Sequence, residues 1–76
     1  MSIVRILIWN LADSKTTVGE LREHLPAESE DDVWIANEPQ ERFGLVSHAD
    51  ELPDLSHLQS LIGKDPDIGE EFDILD

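Results

Sequence analysis

The chain contains no cysteine, and its three histidines, His24, His48 and His57, stand far apart along it with no metal-ligand spacing. For a chain of 76 residues this is a severe restriction. A domain so short buries only about 60% of the surface its unfolded chain exposes, and it usually leans on a disulfide, a metal or a partner. The fold must therefore come from apolar side chains, helped by self-association or by another protein's surface. No cofactor and no metal site is expected. The lack of thiols suits a reducing cytoplasm. The N-terminal apolar run, broken by Asn10 and Asp13, is too short for a signal peptide or for the roughly 20 apolar residues of a membrane span. A cytoplasmic protein without membrane contact is expected.

Hydrophobic patterning predicts an α+β fold. Ile3 to Trp9 reads Ile-Val-Arg-Ile-Leu-Ile-Trp, rich in β-branched residues and only partly alternating, as in a strand buried largely on both faces. Thr17-Val18-Gly19-Glu20 has the form of a capping box, with the Thr17 hydroxyl accepting from the Glu20 amide and the Glu20 carboxylate reaching back to the Thr17 amide. A helix with Val18, Leu21 and Leu25 on one face should follow, stopped by Pro26. Val33 to Ala36 and Phe43 to Val46 read as strands joined by a polar turn containing Pro39, a hairpin with a loop longer than the two-residue ideal. Asp54 offers an N-cap to a second helix in which Leu55, Leu58, Leu61 and Ile62 recur on one face, closed by Gly63. The stretch from Lys64 breaks at Pro66 and carries Ile68, Phe72, Ile74 and Leu75 among six acids.

Residues 1–50 are thus expected to form a small β-α-β-β unit with its helix packed on a short sheet. Residues 51–76 are expected to add a short amphipathic helix and an acidic tail lying on that unit, on a second copy or on a partner, the whole making one domain.

Charge is the other strong signal. Three acids and three bases balance up to Leu25, whereas fifteen acids oppose only Arg42 and Lys64 from Pro26 onward, so the whole formal charge of −13 falls on the later part. Such a field repels nucleic acid and anionic membrane and speeds encounter with a basic partner.

Reactive constellations are missing. Ser47-His48 are sequence neighbours, and neighbouring side chains seldom converge in an extended segment. No acidic stretch follows the calcium-loop pattern, and Gly19, Gly44, Gly63 and Gly69 are too isolated to cradle phosphate. Trp9 and Trp34 read as core or interface aromatics. His24, in the helix's last turn, is explained by the dipole there, and His57 should face outward, opposite the leucines. A binding protein is expected, not an enzyme.

In the order and spacing of its elements, the segment from Met1 to Ile62 resembles the N-terminal domain of Phd/YefM-type antitoxins. A first strand leads to the helix entry Asp13-Ser14-Lys15-Thr16-Thr17, then to Leu21 and Leu25, an acidic connector, the hairpin and a leucine-rich segment. The resemblance implies a homodimer through the N-terminal unit and a C-terminal half that neutralises a basic toxin. On that reading Leu55, Leu58, Leu61, Ile62, Ile68 and Phe72 contact the partner as helix-in-groove anchors. The family's basic hairpin turn is replaced here by Asn37-Glu38-Pro39-Gln40-Glu41, so nucleic-acid contact would fall to Arg5, Lys15 and Arg22. An alternative is an acidic inhibitor or adaptor that imitates nucleic acid, with Glu28, Glu30, Asp31, Asp32, Glu38 and Glu41 standing in for phosphates. A structural subunit is a third.

Overall fold

A computed structural model describes residues 3–27 and 29–75 of the chain. The architecture is α+β, a four-stranded antiparallel sheet with two helices. The elements run β1 (Ile3–Asn10), α1 (Val18–Arg22), β2 (Asp32–Asn37), a 3-10 turn at Glu38–Gln40, β3 (Arg42–Ser47), α2 (Ser56–Ile62) and β4 (Ile68–Asp73). Spatial order in the sheet is β2-β3-β1-β4.

The β2–β3 hairpin follows from its turn. Pro39 stands second in the 3-10 segment, and Glu41 takes the left-handed conformation at φ 54, which turns the chain back so that Asn37 pairs with Arg42 and Trp34 with Leu45. At α1 the Thr17 hydroxyl accepts from the Glu20 amide at 3.2 Å. The Glu20 carboxylate accepts from the Thr16 hydroxyl at 3.0 Å, one residue away from the expected Thr17 amide. The helix spans only five residues and ends before Leu25, which packs on the core from the following turn. Asp54 also acts one position off its expected place: Leu55 is the N-cap of α2, while Asp54 accepts from the Ser56 amide and hydroxyl. Gly63 ends α2 at φ 86, its amide donating to the Gln59 carbonyl at 2.7 Å.

The main departure from expectation lies at the C-terminal end. Residues 68–73, expected in an acidic tail, form β4 and pair with β1 from Ile3↔Asp73 to Ile8↔Ile68. β1 is apolar enough to sit centrally and needs a hydrogen-bonding partner on each edge. Strand alternation then sends Ile68, Glu70 and Phe72 to one face and Gly69, Glu71 and Asp73 to the other.

Both helices cover the same face of the sheet. Leu7 and Trp9 from β1, Phe43 and Leu45 from β3, Val18 and Leu21 from α1, and Leu58 and Ile62 from α2 make the core together with Leu11. Phe43 lies between two indoles, stacked on Trp34 at 5.5 Å and tilted against Trp9 at 5.9 Å. The Trp9 indole N–H donates to the Lys64 carbonyl at 3.3 Å, which satisfies the one polar atom of a fully buried ring. β1 is accordingly buried on one face, not on both as its composition suggests.

Candidate interaction surface

Strand alternation places a second set of apolar side chains on the opposite face. Ile35, Gly44, Ile8 and Ile68 stand side by side across all four strands, and Val33, Val46, Ile6 and Glu70 form the adjacent row. Val4 pairs with Phe72 beyond them. Neither helix reaches this face. Val33 is 51% exposed, Ile35 39%, Ile68 47% and Phe72 45%, while Val4, Ile6, Ile8 and Val46 are partly shielded by one another.

The face has relief. Gly44 is buried at its centre, and Ile8 and Ile35 close over it: a Cβ added there would lie 2.7 Å from Ile8 Cδ1 and 3.3 Å from Ile35 Cγ1. Beside them is a shallow depression of about 270 Å³, lined by Ile8, Ile35, Phe43, Gly44 and Ile68 and bounded by Arg42 and Asn37. Charge on this face is sparse and balanced, with Arg42 at one end and Glu70 at the β4 side. A chain carrying −13 overall therefore keeps one sheet face nearly free of acids.

The six residues expected to contact a partner separate into two groups. Leu58 and Ile62 are 1% and 5% exposed and belong to the chain's own core, with Leu55 and Leu61 packed against it. The leucine stripe of α2 is spent on the sheet, so it is not a free groove-binding surface. Ile68 and Phe72 are exposed, on a strand and not on a helix, and both point to the open face. Sequence reasoning missed Val33, Ile35, Ile6, Ile8 and Gly44 as members of that face. Val4, Ile6 and Ile8 alternate in register with Leu7 and Trp9, and that alternation was the signal.

Arg5 and Arg22, expected as phosphate contacts, are engaged by carboxylates. Arg5 Nε meets Glu71 Oε1 at 3.0 Å, and its guanidinium also donates to the carbonyls of Ala49 and Asp50. Arg22 meets Glu38 at 3.0 Å. Lys15 is exposed in the loop before α1. Two of the three cations are thus already engaged by the chain's own carboxylates.

The acids expected to imitate phosphates are not gathered either. Glu30, Asp31 and Asp32 stand at the start of β2, and Glu38 and Glu41 beyond its far end, about 20 Å away at strand rise. Asp32 accepts from the buried Ser47 hydroxyl, and Glu38 is held by Arg22. Glu28 lies outside the described residues. Ser47 is fully buried and bonded to Asp32, while His48 is exposed, so the neighbouring pair does not converge. No helix is long and apolar enough to cross a membrane among the described residues.

No family model matches the chain. No curated protein matches it either.

Proposed function

We propose that this chain is a non-catalytic protein-binding module that neutralises a basic protein, in the manner of an antitoxin, by docking its open sheet face on it. The observation that carries this reading is the uncovered apolar row of Ile35, Ile8 and Ile68 with Val33 and Phe72 beside it. Four strands at about 4.8 Å spacing and about six residues of strand rise give a face of roughly 400 Å². That matches the largest apolar patches of monomeric proteins, which are often functional, at about 300–600 Å². It is about half of a standard interface side, near 800 Å².

The remainder of the contact falls on the acidic surroundings, and this selects the occupant. A second copy would bring −13 against −13, whereas a basic partner gains steering from the same field. Apolar anchors at the centre with charge at the rim is the usual division between affinity and encounter rate.

The test is co-purification from the source cells with wild-type bait and with Ile35→Asp and Phe72→Asp baits, followed by a salt titration and sedimentation of the bait alone. A basic protein retained by wild type at moderate salt and lost from both variants is the expected result. A bait that sediments as a dimer and becomes monomeric in the variants would give the face to a second copy. Binding that the variants leave intact, or that collapses steeply with salt, would remove the apolar face from the contact.

A further inference from the structure

β2 is an outer strand of the sheet, with β3 on one side and, among the described residues, no strand on the other. The ladder fixes which of its backbone groups face outward. The His48 amide donates to the Asp31 carbonyl at 2.7 Å, which sets the phase of the β2–β3 pairing. Alternation along an antiparallel pair then gives the amides and carbonyls of Val33 and Ile35 to β3 and turns those of Trp34 and Ala36 away from it. The other side of β3 agrees. The Leu11 amide donates to the Glu41 carbonyl, which directs Phe43 and Leu45 toward β1 and leaves Gly44 and Val46 for β2. No backbone group outside the sheet meets Trp34 or Ala36 among the described residues.

Outer strands are normally guarded by charge, by a proline or by a bulge. β4, at the opposite edge, carries Glu70, Glu71 and Asp73. β2 has neither charge nor proline from Val33 to Ala36, and its register with β3 runs unbroken from Asp32 to Asn37. Where β2 begins, a groove of about 780 Å³ is lined by Leu25 and Pro26 of the preceding connector and by Val33 and Trp34. A hollow of about 220 Å³ shares Arg22, Leu25 and Trp34 with it and reaches Ala36.

We propose that β2 receives an extended basic segment of a protein partner as an added strand, hydrogen-bonded to the backbone of Trp34 and Ala36 with alternate side chains over the groove. Strand addition takes affinity from main-chain bonds and specificity from pockets for alternate side chains. Charge selects the occupant. Glu30, Asp31 and Asp32 stand at the start of β2, and Glu38 and Glu41 stand beyond its end. Arg22, the cation on the groove wall, is held by Glu38 at 3.0 Å. The segment that fits is therefore apolar in its middle and carries Lys or Arg at both ends. A second copy does not fit, because antiparallel pairing of two β2 edges about Trp34 directs Glu30 of each toward Glu38 of the other, between chains of −13 each. The inference rests on the basic partner proposed above, but it places a contact at the sheet edge and not on the open face.

The experiment titrates the isotope-labelled full chain with the peptide acetyl-Lys-Lys-Val-Val-Val-Lys-Lys-amide, read by NMR and by amide hydrogen exchange. Binding is expected, with exchange at Trp34 and Ala36 slowed at least tenfold near saturation, while Val33 and Ile35, already bonded to β3, change little. Ala36→Pro removes an outward amide that β3 does not use, and it should weaken the peptide at least tenfold. A peptide with Glu in place of each Lys should not bind. Phe72→Asp, on the far strand, should leave binding intact, and loss of the peptide there would move the contact to the open face and overturn the proposal. Absence of binding, binding that leaves exchange at Trp34 and Ala36 unchanged, full binding by Ala36→Pro or equal binding of the Glu peptide would overturn it too. Protection of these amides in the free protein that rises with its concentration would give the edge to a second copy. Should Ala36→Pro fail to fold, the wild-type exchange pattern decides alone. The peptide reads the edge by itself, so a failed co-purification would leave this result standing.

Discussion

Arg5 and Glu71 face each other across the β1–β4 ladder, with Arg5 Nε 3.0 Å from Glu71 Oε1. The same guanidinium donates to the Ala49 and Asp50 carbonyls, so one side chain ties both the loop after β3 and the last strand to β1. Its side chain is 24% exposed and that of Glu71 62%. Exposed ion pairs contribute about 0–1 kcal/mol, whereas the carbonyl bonds of a better shielded donor add to the loss when the donor is removed. Arg5→Ala should therefore lower stability by roughly 1–2 kcal/mol and Glu71→Gln by less than about 1 kcal/mol. Urea denaturation of the two variants measures the difference, and equal losses would show that the carbonyl contacts contribute nothing.

Gly44 is fixed by backbone proximity. A Cβ at this position would lie 2.6 Å from the Leu7 carbonyl oxygen of the neighbouring strand, a contact that side-chain rotation cannot relieve. Gly44→Ala is expected to cost about 1–3 kcal/mol, as overpacking typically does. An unchanged urea midpoint would mean that β1 and β3 can separate locally without loss.

Burial divides the leucine and phenylalanine anchors by role. Leu58 is 1% exposed within the core, so Leu58→Ala should cost about 2–5 kcal/mol. Phe72, 45% exposed on the open face, should lose much less, within about 1 kcal/mol on Phe72→Ala. Thermal melts of both variants check this. A Phe72 variant as damaged as the Leu58 one would mean that the face packs on something in the free protein.

Local signals in the sequence are legible where the cause is local, although the Glu20 carboxylate and Asp54 each act one position off their expected place. β1 announces itself by its β-branched run, Thr17 and Gly63 cap the helices they were expected to cap, and the β2–β3 hairpin sits at its polar turn. What was not legible depended on distant partners. β4 contains Gly69, Glu70 and Glu71, a poor strand by composition, and it exists because β1 offers a free edge. The leucine stripe of α2 was visible, but periodicity cannot say whether an amphipathic face meets the chain's own sheet or another protein. The open face was hidden for the same reason: alternation along β1 assigns side chains to two faces without saying that both helices choose one. His24 and His57 meet only through the packing of α1 and α2, a juxtaposition that no spacing along the chain encodes.

Asp67 links the last loop to the end of β1, and that link should appear in the acid limb of stability. Its carboxylate accepts from the Asn10 amide at 2.7 Å and meets Lys64 Nζ at 2.9 Å. The Asn10 amide first, and the Lys64 ammonium second, hold its pKa below the ordinary 3.8. A carboxyl whose folded pKa is depressed binds a proton more readily in the unfolded chain. Its contribution is therefore complete above the unfolded value and is lost as pH falls through the folded one. Asp54 acts in the same direction, through the hydroxyl and amide of Ser56. Asp67→Asn should lower the urea midpoint at pH 7 and narrow its distance from wild type as the pH falls below about 4, where the native carboxylate is itself being protonated. Midpoints at pH 7, 5 and 3 for the two proteins check the sign. A gap that widens on acidification would show that Asp67 is not stabilised as the anion in the folded chain.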